Sequence, residues 1–146
     1  MAARSDKREI VVESDFLFGL REGDRHHQDV ERMLSMNKNG ILEIAVLSSA
    51  VVEVRAVLYS KGFDLHQVEE AITLMDFMLS EAEIRNFIEV KLSDVVLSES
   101  LRSQHGELTF FDSLHAAVAK RADLALLSGD PIYKKIGLKT LNYDEM

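Results

Sequence analysis

The spacing of apolar residues changes period several times along the chain. Ile10-Val11-Val12 is a short β-favouring run that stops at Glu13-Ser14-Asp15, residue types suited to a turn or a helix start. From Asp24 to about Lys38, Val30, Met33 and Leu34 recur at helical spacing until Asn37 to Gly40 ends the pattern. Ile41 to Leu47 is a second apolar strand. Ser48-Ser49 offers caps for a helix that runs to Ser60 and is closed by Gly62. Asp64 to about Ser80 carries Leu65, Val68, Ile72, Met75 and Leu79 on one stripe. Ile84 to Val90 predicts a third strand, and Ser93 to Gln104 a helix. Thr109 to Arg121 is the clearest helix of all, apolar along Phe111, Leu114, Ala117 and Val118. Leu124 to Leu127 reads as a strand, Asp130-Pro131 opens a brief helix, and Leu138 to Leu141 is a last short strand. Strands alternating with helices predict an α/β fold, a three-layer α/β/α arrangement around a mainly parallel sheet. Sites in such sheets form at the carboxyl ends of strands.

Composition narrows the chemistry. The 146 residues, 47% of them apolar, suffice for one core, and with a single Pro and scattered Gly no linker divides them, so one domain over 1–146 is expected. Met1 to Lys7 lacks the apolar core of a secretory signal, and no run approaches the roughly 18 apolar residues of a membrane span. A cytoplasmic protein is expected. The absence of Cys rules out disulfides, thiolate metal sites and cysteine nucleophiles, so any metal must be held by oxygen or imidazole. The net charge of −8 argues against a nucleic-acid partner until its distribution is considered. Asp64 to Glu107 holds ten acids and three bases, leaving the remainder nearly balanced. Arg55, Lys61, Lys120, Arg121, Lys134 and Lys135 lie outside that acidic segment and are candidates for a nucleic-acid path, or ordinary surface charges.

Five acids stand out by position. Glu13 and Asp15 follow the first strand, Glu53 lies one turn into the helix after the second, Asp112 starts the helix before the fourth, and Asp130 lies just beyond the fourth. In a parallel sheet with right-handed crossovers the first, second and last of these places share an edge; Asp112 joins them only if its helix begins there. Carboxylates converging without Cys suit Mg²⁺ or Mn²⁺, and a metal so held can activate water for phosphodiester hydrolysis. Each acid also has a plain structural explanation. Thr109 and Asp112 fit a capping box, Asp130 before Pro131 fits an N-cap, and Asp15 could cap the first helix with Glu13 left as a solvated turn residue. Glu53 sits among Val51, Val52 and Val54, where an acid needs a reason, or else faces solvent on the polar side of its helix. His26-His27 and His66 with Glu69 read as surface residues. His115, three positions after Asp112 on a neighbouring part of the same helix face, is read as supporting the site from behind or lying at the surface, with contact to substrate the third reading.

Taken together, these segments resemble the PIN-domain ribonucleases, and in size and arrangement the VapC-like toxins of toxin–antitoxin pairs. Four phrases carry the resemblance: Glu13-Ser14-Asp15-Phe16-Leu17; Ser48-Ser49-Ala50-Val51-Val52-Glu53; Leu108-Thr109-Phe110-Phe111-Asp112-Ser113-Leu114-His115-Ala116-Ala117; and Leu126-Leu127-Ser128-Gly129-Asp130. It implies a metal-dependent endoribonuclease with Glu13, Glu53, Asp112 and Asp130 as the acidic, metal-holding set, Asp15 as a further candidate, and Ser14 and Ser128 as polar supports. It also implies homodimers and a cognate antitoxin. The family usually has Asp where Glu13 stands. The extra methylene moves the carboxylate by about a bond length, and misplacement near 1 Å can cost on the order of 100-fold in rate. A catalytically weakened PIN-like RNA- or protein-binding regulator is therefore the alternative. A phosphatase of the haloacid-dehalogenase type, suggested by Glu13-x-Asp15 and Gly129-Asp130, is more distant, because that chemistry needs an Asp nucleophile first and a further acid where Lys134 stands.

Overall fold

The computed structural model describes residues 7–146. Strand β1 (Arg8–Val12) runs into α1 (Ser14–Gly19) and α2 (His27–Lys38), β2 (Leu42–Leu47) into α3 (Ser48–Ser60) and α4 (Leu65–Glu81), and β3 (Asn86–Ile88) into α5 (Leu92–Gln104) and α6 (Phe110–Ala122). Then come β4 (Ala125–Leu127), α7 (Ile132–Lys135), β5 (Thr140–Leu141) and a 3₁₀ turn at Tyr143–Glu145 that no sequence signal had marked. The strands pair in the order β3-β2-β1-β4-β5, every pair parallel. From β1 the chain moves one way to β2 and β3, then crosses back to β4 and β5, so right-handed crossovers place helices on both faces of the sheet. That reversal makes the ends of β1 and β4 the switch point of the sheet, where the crevice of an α/β fold opens.

Register aligns the strand ends. Val12 pairs with Val46 on one side and with Leu127 on the other. Glu13, Leu47 and Ser128 therefore leave the sheet at one level. Ile10, Val11, Val12, Ile44, Val46, Leu126 and Leu127 are buried on both sheet faces, which explains why their runs are continuously apolar rather than alternating.

Local details depart from the sequence reading where polar groups choose other partners. Asp64 caps α4 in a reciprocal pair with Gln67, which the sequence reading had given only as the start of that helix. Ser48-Ser49 does not cap α3: the helix starts without a side-chain cap, and Ser49 is buried. The third strand shrinks to three residues because Glu83 turns through φ 61° after α4 and Ile84 drops into the core before the strand begins. Among the described residues, no helix is long and apolar enough to cross a membrane.

Arg121 is not free to line a nucleic-acid path. Its Nε donates to Asp94 Oδ1 at 2.9 Å, and a terminal nitrogen donates to Asp94 Oδ2 at 3.0 Å and to the Glu89 carbonyl at 2.6 Å. The Asp94 side chain is 2% exposed. Burial opposes its charge, yet the Arg121 hydrogen bonds and the Lys91 amide outweigh it and hold the carboxyl below its usual range. Arg121→Ala leaves that charge buried and unpaired, and should destabilise the protein by about 3 kcal/mol at neutral pH, a fall in Tm of roughly 10 °C. Because Asp94 is held ionised in the folded state, its contribution is present above the ordinary carboxylate pKa and fades on acidification. The deficit of the variant in thermal unfolding should thus narrow below pH ~4.

Candidate active site

Glu13 is the first residue past β1 and the N-cap of α1: its Oε1 accepts the Asp15 amide at 2.9 Å. Its other oxygen, Oε2, accepts the Tyr133 hydroxyl at 3.0 Å. The capping role expected of Asp15 thus falls to Glu13, which is 6% exposed and not a solvated turn residue. Burial, then the charge of Asp15, pushes the Glu13 carboxyl up to about 9, so without a cation it holds a proton through neutral pH.

The Tyr133 hydroxyl also lies 3.3 Å from Asp112 Oδ1. Tyr133 is fully buried, and one phenolic hydrogen is shared between two carboxylates from opposite ends of the chain. Asp112 meets Glu13 there because α6 begins at the carboxyl edge of the sheet. The capping box is present as well, with Thr109 Oγ1 accepting the Asp112 amide at 3.2 Å and Asp112 Oδ2 facing the Thr109 amide at 3.4 Å. The two readings of Asp112 are not exclusive: one oxygen caps the helix, and the other faces Tyr133.

Glu53 projects from the second turn of α3 and is 19% exposed. His115 Nε2 lies 2.9 Å from Glu53 Oε1. Burial would raise the Glu53 pKa, but the His115 hydrogen bond, the nearby Ser14 hydroxyl and the adjacent imidazole hold it below the usual value. His115 itself is fully buried, its Nδ1 2.8 Å from Ser49 Oγ. The buried Glu13 and the half-buried Glu53 are thus pushed in opposite directions, Glu13 toward the acid and Glu53 toward the carboxylate.

Asp130 and Asp15 are placed differently. Asp130 is exposed; its Oδ1 accepts the Ile132 amide at 3.0 Å, and its own amide donates to the buried Ser128 hydroxyl at 3.0 Å. It accepts the first amide of α7, and among the described residues no hydrogen bond ties it to the other acids. Asp15 spans the switch point instead: Oδ2 accepts the Gly129 amide at 2.7 Å and Oδ1 the Tyr143 hydroxyl at 2.9 Å. The His26 ring stacks on Tyr143 with centroids 4.1 Å apart, and a Cβ at Gly129 would stand 3.1 Å from His26 Nε2, so only glycine fits there without displacing the ring. His26 is therefore part of the floor beneath the last site loop rather than a surface residue. Tyr133 and Tyr143 escaped the sequence reading because each is an isolated aromatic in a one-turn element, with no period to mark it.

As donors, Glu13, Glu53 and Asp112 offer only oxygen, the ligand of hard cations, and a cation among them would offset the burial and the Asp15 charge that protonate Glu13. Among the described residues, no three acids or imidazoles already form a cation cage. Glu13 and Asp112 are joined through Tyr133, and Glu53 is held by His115. The donor chemistry fits a divalent metal, and its binding would require the carboxylates to exchange these partners.

A family model described as PIN domain matches residues 10–139. No curated protein matches the sequence. Among solved structures, VapBC2 of Rickettsia felis bound to a DNA fragment from its promoter superposes with a TM-score of 0.68 at 17% identity, covering 92% of this chain and 98% of that one. VapC20 of Mycobacterium tuberculosis, described as a Sarcin-Ricin loop cleaving toxin, gives 0.67 at 16% identity over 88% and 95% of the two chains. FitAcB of Neisseria gonorrhoeae gives 0.67 at 16% over 94% and 99%. At these identities the structural likeness establishes the fold.

Proposed function

The chain belongs to the PIN-domain family, and from that premise we propose that it is a divalent-metal-dependent endoribonuclease, the toxin of a toxin–antitoxin pair. The observation that carries the proposal is the joining of Glu13 and Asp112 through one buried hydroxyl at the switch point of the sheet, with Glu53 beside them. In this reading Glu13, Glu53 and Asp112 hold Mg²⁺ or Mn²⁺, and Asp130 supplies a fourth carboxylate from the turn after β4. Held by these carboxylates, such an ion would supply water activation and charge stabilisation on a phosphoryl oxygen. The protein's own groups prepare that site. His115 and Ser14 favour the ionised Glu53, the Tyr133 hydroxyl stands between the Glu13 and Asp112 oxygens, and Ser128 holds the turn that carries Asp130. Lys134 and Lys135, exposed on the short helix that carries Tyr133, are the basic residues best placed to meet an RNA backbone.

An antitoxin and a second copy of the chain are the proposed protein partners. Leu74 and Phe77 are 58% and 59% exposed on α4, and Leu74 borders a groove of about 1060 Å³ between α4 and residues 20–31, the kind of apolar surface a partner would cover. The haloacid-dehalogenase reading is set aside on family membership and because Glu13, buried beneath Tyr133, cannot serve as an in-line nucleophile.

A second reading has one observation in its favour: Glu13, in place of the usual Asp, is engaged at both oxygens by the α1 amide and Tyr133. A weakened site would bind RNA or protein without turnover. Incubating single-stranded RNA with the purified chain separates the readings. The nuclease reading predicts cleavage with Mg²⁺ or Mn²⁺ and none in chelator. Equal cleavage in chelator would sink it, and tight RNA binding without cleavage, relieved by Glu13→Asp, would favour the regulator.

A further inference from the structure

We propose that His115 is a positioning residue that locks the two acid-bearing helices, α3 and α6, in register and fixes the Glu53 carboxylate. The inference rests on the nuclease reading of the site and assigns a residue beyond its acids. Glu53 and Ser49 are four positions apart on α3, one turn along the same face, and the imidazole of His115 fits between their side chains, with Nε2 2.9 Å from Glu53 Oε1 and Nδ1 2.8 Å from Ser49 Oγ. His115 in turn stands one turn after Asp112 on α6, so the same pair of helix faces that presents the acids also closes this clamp.

The partners decide the proton arrangement. A carboxylate accepts only, so Nε2 carries hydrogen and donates to Glu53; in the neutral ring Nδ1 is then the acceptor of the Ser49 hydroxyl. Ser49 thereby selects the tautomer, and the tautomer directs a single donor at one Glu53 oxygen, leaving the other for Ser14 or a ligand. His115 and Ser49 are 0% and 1% exposed, so neither touches substrate and neither can exchange these bonds for water. An imidazole that is completely buried and satisfied at both nitrogens by a carboxylate and a hydroxyl is held in one orientation. Supports of this kind behind metal-binding carboxylates and imidazoles typically change metal affinity by about 10- to 100-fold when removed.

The test has two arms, both on the full chain. In chelator, long-range ¹H–¹⁵N spectra should show His115 as a single neutral tautomer with a slowly exchanging Nε2–H, and Ser49→Ala should release Nδ1 and mix the tautomers. A mixed, rapidly exchanging ring in the unaltered protein overturns the proposal whether or not metal binds. In the second arm, Mn²⁺ alone is titrated calorimetrically into His115→Gln, whose amide can still donate to Glu53, and His115→Leu, which keeps the bulk and loses the donor. The proposal predicts an affinity within about 3-fold of the parent for the Gln variant and a loss of about 10- to 100-fold for the Leu variant. Ser49→Ala, the gentler change should His115→Leu fail to fold, is expected to lose about 3- to 10-fold. Equal affinities for the Gln and Leu variants, or for Ser49→Ala and the parent, would overturn it. If the parent itself binds no Mn²⁺, the metal reading of the site falls, and the positioning role stands or falls on the tautomer arm.

Discussion

Asp112→Asn is expected to reduce metal-dependent RNA cleavage by on the order of 100- to 1,000-fold with little change in stability. Asn has the same shape and its amide oxygen can still face the Thr109 backbone, so the capping box that starts α6 largely survives. What is lost is the negative charge at Oδ1, beside Tyr133, where it would meet a cation jointly with Glu13. Removing a charge from the first turn of α6 costs well under about 1 kcal/mol through the helix dipole. Cleavage assays in saturating Mn²⁺, read beside thermal melts, separate the two roles. A variant that cleaves like the parent would remove Asp112 from the site, and one that fails to fold would show that the cap was its main function.

The second large effect concerns Glu13 in the metal-free protein. Its folded-state pKa of about 9 stands above the ordinary value of 4.5. Between those limits the folded state binds more protons than the unfolded chain, so stability is greatest at the acid side of the window and falls as pH rises through it, by up to about 1.4 kcal/mol per pH unit. Burial dominates that shift, with the Asp15 charge adding to it. Glu13→Gln cannot ionise and keeps an oxygen for the Asp15 amide or for Tyr133. In chelator it should therefore unfold with a nearly flat pH profile and be the more stable protein at pH 8. Mn²⁺ should reverse the order by stabilising the parent and not the variant. Parallel profiles for the two proteins in denaturant titrations from pH 5 to 9 would show that Glu13 is not the protonated member of the cluster.

The α/β order of elements was legible in the sequence because its signals are local and periodic. Ile10 to Val12, Ile41 to Leu47 and Leu124 to Leu127 are short apolar runs, and Val68, Ile72, Met75 and Leu79 recur at helical spacing, so strand and helix types followed without tertiary knowledge. The boundaries that moved were set by tertiary partners. Ser49 looked like a cap and became the partner of His115; Ile84 looked like strand and became core. The acids were legible as positions, since a parallel sheet sends the residues after β1 and β4 to one edge. Their connections were not. Nothing in the spacing of Glu13, Asp112 and Tyr133 indicates that a hydroxyl from a one-turn helix would stand between the two carboxylates, because that contact joins residues 120 and 21 positions apart. Arg121 misled for the same reason: its basic character was visible, and the buried Asp94 that claims it was not.

On binding a shared divalent cation, Glu13, Glu53 and Asp112 are expected to give up their present hydrogen bonds. A crystal of the protein grown with Mn²⁺ and measured at the manganese absorption edge tests this directly. The expected result is an anomalous peak within direct coordination distance of carboxylate oxygens from Glu13, Glu53 and Asp112, about 2.0–2.3 Å away, with the Tyr133 hydroxyl released from at least one of them. A peak elsewhere, or no peak at the switch point with Tyr133 still bridging Glu13 and Asp112, would contradict it.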